Sequence, residues 1–365
     1  MSPEIVGPEQ FDTLLCEGAH FIDVRAEIEF ERGSIPGAVN LPILTTGERE
    51  QVGTTYKRQG QEAAVALGHR LVSGSTKEQR VARWCAQLRE HPDALVYCWR
   101  GGMRSGLAAE WITAEGVPVR LIRGGFKARR NRLLRELEAP EPREPLYVIG
   151  GRTGSAKTDL IKALPWSVDL EELAHHRGSS FGRRVGSTPA QIDFENRLAL
   201  LLLRRRHAVP GAALFLEDES RTIGSITVPL DLYQAMKAAP LAIIDAPFES
   251  RVEQILRDYI CEDLRERVEL DPDHGFVHFG AALHESLQRI QRRLGGERYA
   301  VAEGLMREAL HLQGTRGDPS GHRAWIELLL RDYYDPMYEY QLGKSAGRVV
   351  FRGDFATVRE WCLSR

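Results

Sequence analysis

The stretch Leu95-Val96-Tyr97-Cys98-Trp99-Arg100-Gly101-Gly102-Met103-Arg104-Ser105-Gly106-Leu107-Ala108 decides the fold of the first third of the chain. An apolar strand runs into a cysteine, a glycine-rich loop with two arginines follows, and a helix begins near Ser105. Strand, tight loop and helix in that order predict an α/β unit. The helix start points unpaired N–H groups into the loop, and Gly101 and Gly102 let further amides turn inward. Arg100 and Arg104 add positive charge. All three influences lower the pKa of a neighbouring thiol, so Cys98 reads as a reactive thiolate beside an anion cradle, with Arg100 and Arg104 as its catalytic companions.

Outward from that loop, residues 20–25 read as a short strand, and 33–42 as a turn with a second strand. Residues 58–90 have helical spacing, and 119–122 form a further strand closing at Gly124-Gly125. The alternation predicts a mainly parallel sheet. Residues 139–145 carry three prolines and are read as a linker. Immediately beyond, residues 146–149 open a second α/β domain, with strands expected at 212–216 and 241–244. Helical stretches are expected at 250–270, 280–312 and 322–332. The predicted division is a domain over 1–138, the linker, and a domain over 146–365.

The second domain opens with Gly150-Gly151-Arg152-Thr153-Gly154-Ser155-Ala156-Lys157-Thr158 between a strand and a helix. That is the context of a P-loop, in which backbone amides cradle a diphosphate and a lysine bridges it. Ala156 stands where a glycine is usual. Gly151, Thr153, Gly154, Ser155, Lys157 and Thr158 are the candidate diphosphate-binding residues, as Gly101 and Gly102 are in the first cradle. The strand ending Glu217-Asp218-Glu219 offers Asp218 and Glu219 as candidate ligands for Mg²⁺. Asp245 is a competing strand-end acid.

The 365 residues carry a formal net charge of −2, so bulk charge announces no polyanion partner. Five cysteines (Cys16, Cys85, Cys98, Cys261, Cys362) show no C-x-x-C spacing, which argues against a disulfide framework or a zinc site. No apolar run reaches membrane-spanning length, and the first ten residues lack a signal-peptide block; a cytoplasmic protein without a membrane partner is expected.

Ile22-Asp23-Val24-Arg25, Glu29-Phe30 and Ile35-Pro36-Gly37-Ala38-Val39-Asn40, with the Cys98 loop, resemble the rhodanese fold. Ser34 stands where that family usually has histidine. The resemblance implies that Cys98 carries sulfur or selenium. The same loop also fits the C-x5-R pattern of cysteine-dependent phosphatases, although Tyr97 replaces their usual histidine and no aspartate stands out as a general acid.

Taken with the P-loop, the chain resembles the tRNA 2-selenouridine synthase family, a rhodanese domain fused to a P-loop domain. Further matching blocks are Gly124 to Ala128, His176 to Gly182, Phe194-Glu195-Asn196, Glu217 to Arg221, Ile223-Gly224, and Tyr333 to Tyr338; Phe126 departs from an expected tyrosine. The resemblance implies a tRNA substrate with 2-thiouridine at the wobble position. It further implies geranyl diphosphate forming an S-geranyl intermediate, selenophosphate as selenium donor, and a selenophosphate-producing enzyme as a partner. Arg123, Lys127, Arg129 and Arg130, in a cationic run continuing to Arg132 and Arg135, are the candidate tRNA contacts. Arg183-Arg184 and Arg204-Arg205-Arg206 are weaker ones, and Tyr333, Tyr334, Tyr338 and Tyr340 are read as core. The alternatives are a sulfurtransferase with a regulatory nucleotide domain, and a cysteine phosphatase.

Overall fold

Short apolar runs set between helices make the two parallel sheets of this chain, seen in a computed structural model that describes residues 2–138 and 144–365. Most of the proline-rich linker, residues 139–143, lies outside the described residues. The chain divides into two compact units, one of residues 1–139 and 190–210, the other of 140–189 and 211–365.

The first unit holds β1 (Glu4–Val6), β2 (Phe21–Asp23), β3 (Ala38–Asn40), β4 (Leu95–Tyr97) and β5 (Arg120–Ile122), in the order β1-β5-β4-β2-β3. All pairings are parallel. Every residue of β2 and β4 is buried, as expected where helices cover both faces of a sheet. One core packs Ile22, Val24 and Val96 against Trp84, Ala108 and Ile112. The helical stretch read over 58–90 is two helices, Thr46–Leu71 and Gly74–Glu90. Thr45 and Glu48 form a capping box that starts the first, earlier than spacing alone indicated.

The second unit holds β6 (Leu146–Gly151), β7 (Leu214–Glu217), the hairpin β8 (Thr222–Ile223) and β9 (Ile226–Thr227), β10 (Leu241–Ile244) and β11 (Val349–Gly353). Its main sheet is parallel, in the order β11-β10-β6-β7. A helical layer over 248–345 has its own core around Phe279, Leu287, Met306 and Trp325. Tyr333 and Tyr334 join that core, as expected, whereas Tyr340 is exposed. Two π-helical turns, Leu256–Cys261 and Leu330–Tyr334, interrupt the layer. Among the described residues no helix is long and apolar enough to cross a membrane.

One segment departs from the expected division. The helix Gln191–Ala208 belongs to the first unit although it lies within the range 146–365. Its Phe194, Leu198, Leu202 and Leu203 are buried. Asp193 accepts hydrogen bonds from the Ser34 amide (2.8 Å) and hydroxyl (3.3 Å), and the Asn196 amide donates to the Ser34 carbonyl at 2.7 Å. Arg204 donates to the Leu15 carbonyl, and Arg206 pairs with Glu136. Ser34, the departure from the rhodanese pattern, is therefore one of the anchors of this helix.

Candidate functional site

β4 lies inside its sheet, and its carboxyl end delivers Cys98 to the edge where loops of parallel sheets collect ligands. The thiol loop rests on a second glycine turn. The Phe126 and Lys127 amides donate to the Cys98 and Trp99 carbonyls, both at 2.9 Å. At Gly125 (φ +57°) a Cβ would lie 2.3 Å from the Cys98 carbonyl, so only glycine admits this approach. Beneath it, Asp23 and Arg25 form a buried pair at 2.6 Å, and Arg25 stacks on the Phe126 ring.

The Cys98 sulfur lies 3.2 Å from the Ser105 hydroxyl. Burial alone would raise the thiol pKa. Hydrogen bonds from the Ser105 hydroxyl and amide, the Arg104 charge and the Gly102 amide outweigh it, and the net shift is downward. Arg104 is held in turn by Glu29, at 2.5 Å. Ser105 and Glu29 were not singled out as site residues from sequence; Ser105 was legible only as the helix start. Arg100 is exposed. The cationic run divides sharply. Arg123 and Lys127 are exposed, but Arg129 is fully buried over Phe11 and Arg130 pairs with Glu195 and Asn196. Arg129 is thus withdrawn from the surface, and Arg130 is half-buried in its pairing. Arg204, Arg206 and Arg132 are half-buried as well, held by the Leu15 carbonyl, by Glu136, and by Asp12 with Glu136.

In the second unit, β6 ends in the P-loop and the helix Lys157–Ala163 follows. Lys157 folds back onto the Gly151 carbonyl at 3.0 Å, and the Ser155 hydroxyl is buried without a partner. Ala156 adopts φ +60°, the left-handed conformation the missing glycine would supply at no steric cost. The loop forms one wall of a cleft of about 480 Å³.

The acidic element of that cleft differs from the expectation. Asp218 is turned aside to Lys237 at 3.0 Å, and Asp245 pairs with Arg352. Glu219 instead meets Glu217 and Glu171, with oxygens of all three within 4.8 Å of one another. Glu171 comes from the short helix Leu170–Leu173 and receives the Thr158 hydroxyl at 3.4 Å. Neither Glu217 oxygen has a hydrogen-bond partner. Burial, then mutual repulsion, pushes Glu171 and Glu217 up to about 8 and Glu219 to about 7, against the pull of Lys157. Gly178 lies directly over the cluster, where a Cβ would fall 2.3 Å from Glu171 and 2.8 Å from Glu219. Three crowded carboxylates, two buried and one half-buried, beside a P-loop hydroxyl are the oxygen donors that a hard divalent cation takes.

Two family models match the chain: a rhodanese-like domain over residues 7–131, and a tRNA 2-selenouridine synthase AAA domain over residues 144–365. Curated relatives align over nearly the whole length. A tRNA 2-selenouridine synthase of Hahella chejuensis is 48% identical, covering 97% of this chain and 93% of its own. One of Cupriavidus pinatubonensis is also 48% identical, covering 97% of each chain. One of Shewanella frigidimarina is 44% identical, covering 98% of each.

Proposed function

The chain belongs to the tRNA 2-selenouridine synthase family, an enzyme family acting on tRNA, and from that premise we propose that it converts wobble 2-thiouridine to 2-selenouridine in two steps, one in each unit. The observation that carries this reading is the pairing, in one chain, of a thiol held at lowered pKa with a diphosphate loop facing buried carboxylates.

In the first step the thiocarbonyl sulfur of the nucleoside attacks the first carbon of geranyl diphosphate. The C–S bond forms, the C–O bond breaks, pyrophosphate departs, and the uracil loses its N3 proton. Lys157 and the amides of the loop from Gly151 to Thr158 face the charge that develops on the leaving group, fixed before the reaction begins. Glu171, Glu217, Glu219 and Thr158 are the residues that would hold Mg²⁺. Bound there, the ion would neutralise leaving-group charge.

In the second step selenium from selenophosphate replaces the S-geranyl group at C2. Selenium in that donor is already at the selenide level, so the exchange needs no oxidant. The C–Se bond forms, geranyl thiol leaves, and the P–Se bond is hydrolysed. Cys98, its thiol pKa lowered by Ser105, Arg104 and the Gly102 amide, is the nucleophile that handles the chalcogen: its sulfur attacks the phosphorus of selenophosphate, selenide leaves and passes to C2, and water then cleaves the S–P bond. Glu29 fixes Arg104 in that arrangement.

The deciding experiment gives the full chain thiolated tRNA, geranyl diphosphate and selenophosphate, with nucleosides read by mass spectrometry. S-geranyl-2-thiouridine is expected first and 2-selenouridine after it. Cys98→Ala is expected to stop at the geranylated nucleoside, and Lys157→Ala to leave 2-thiouridine. Full selenium incorporation by Cys98→Ala would reject the assigned role.

A further inference from the structure

The P-loop cleft has two unlike walls. One carries the loop amides, Lys157 and the glutamates. The other is the helix Asp335–Ser345, which turns Met337, Tyr338, Gln341, Leu342 and Ser345 into the cavity. These positions, three and four apart, lie on one helical face. No residue of this helix is buried. A short helix ordinarily depends on packing its apolar face, yet here that face looks onto open space.

Its fixed end is tied to the phosphate loop. Asp335 pairs with both terminal nitrogens of Arg251, at 2.7 and 2.6 Å, and Arg251 also donates to the Thr153 carbonyl at 3.3 Å. Gly154 packs against the Arg251 backbone, and Glu339 pairs with Arg152 at 2.7 Å. Leu241 and Tyr233 line the cavity as well. The Tyr338 hydroxyl is buried without a partner beside Gly150, at the junction of the two walls. At about 480 Å³ the cleft far exceeds the ~30 Å³ of a water molecule and has room for a chain beyond a diphosphate.

Resting on the reading of the P-loop as a diphosphate-donor site, we propose that Met337, Tyr338 and Leu342 seat the donor's hydrocarbon tail and make this loop select a prenyl diphosphate over a nucleotide. The Tyr338 ring faces the tail while its hydroxyl meets the nearest donor oxygen. Burial of the tail supplies the packing that the helix lacks.

Calorimetric titration of the full-length protein with geranyl diphosphate, inorganic pyrophosphate and ATP, each with Mg²⁺, tests the proposal. The wild type is expected to bind geranyl diphosphate at least tenfold more tightly than pyrophosphate, and ATP no more tightly than pyrophosphate. Met337→Glu and Leu342→Glu, at positions that are themselves not buried, are expected to bring that ratio toward one with pyrophosphate affinity kept; Leu342→Met should preserve it. An unchanged ratio in both glutamate variants, or no tail advantage in the wild type, would overturn the seat and leave the diphosphate reading standing. Absence of pyrophosphate binding in the wild type would remove that reading, and the seat with it.

Discussion

Cys98 keeps a lowered pKa at 3% exposure because its hydrogen-bond donors are covalently close, seven residues on in the helix that the same loop begins. Ser105→Ala removes the hydroxyl contribution. The thiol pKa is then expected to rise, and alkylation by iodoacetamide at pH 7 to slow several-fold; an unchanged pH profile of alkylation would reject this role for Ser105. Ala156 poses the opposite problem, a residue held where its side chain costs energy. The left-handed region costs a non-glycine residue about 1–2 kcal/mol. Ala156→Gly relieves this but loosens the unfolded chain, so a net gain of about 1 kcal/mol in urea unfolding is expected, with diphosphate affinity undiminished. Arg135 aside, the exposed groups that remain from the cationic run are Arg123 and Lys127. Reversing both to Glu is expected to weaken tRNA binding and flatten its salt dependence in a filter-binding titration.

Three elements meet in the carboxylate cluster, and their protonation links it to the stability of the second unit. Glu217, with a folded-state pKa of about 8 against about 4.3 in the unfolded chain, favours folding when neutral. That contribution is complete below the unfolded value and is lost as pH climbs through the folded one. The metal-free protein is therefore expected to melt at lower temperature as pH rises from 5 to 8.5, with Mg²⁺ restoring most of the loss. Glu217→Gln should flatten the trend, and a flat wild-type profile would count against the cluster. The two anion loops were legible in the sequence because strand, glycines and cation are contiguous there. The cluster was half legible. Glu219 lies in the cluster, whereas Asp218 lines the same cleft with its carboxylate paired to Lys237. Glu171 gave no signal, because only tertiary folding brings its four-residue helix to β7. β11 was missed because it is a short, partly exposed edge strand after a long helical run.

At the scale of the whole molecule, the α/β class of both units and the parallel sheet of the first followed from the strand–helix alternation. The return of the helix Gln191–Ala208 to the first unit did not, because its apolar residues name no partner; what chooses the partner is Ser34, Leu15, Arg130 and Glu136. In the full chain, amides of 191–208 are expected to exchange hydrogen in step with β2 and β4 under mild denaturant, and not with β6. Exchange in step with β6 would contradict the assignment. This excursion also bears on biosynthesis. The first unit is left unfinished while residues 140–189 emerge from the ribosome, an interval of several seconds at roughly 5–20 residues per second. Until then the groove awaiting Phe194 and Leu198 stands bare to chaperones and proteases, and no single cut in the gene could separate the two halves as independent cassettes.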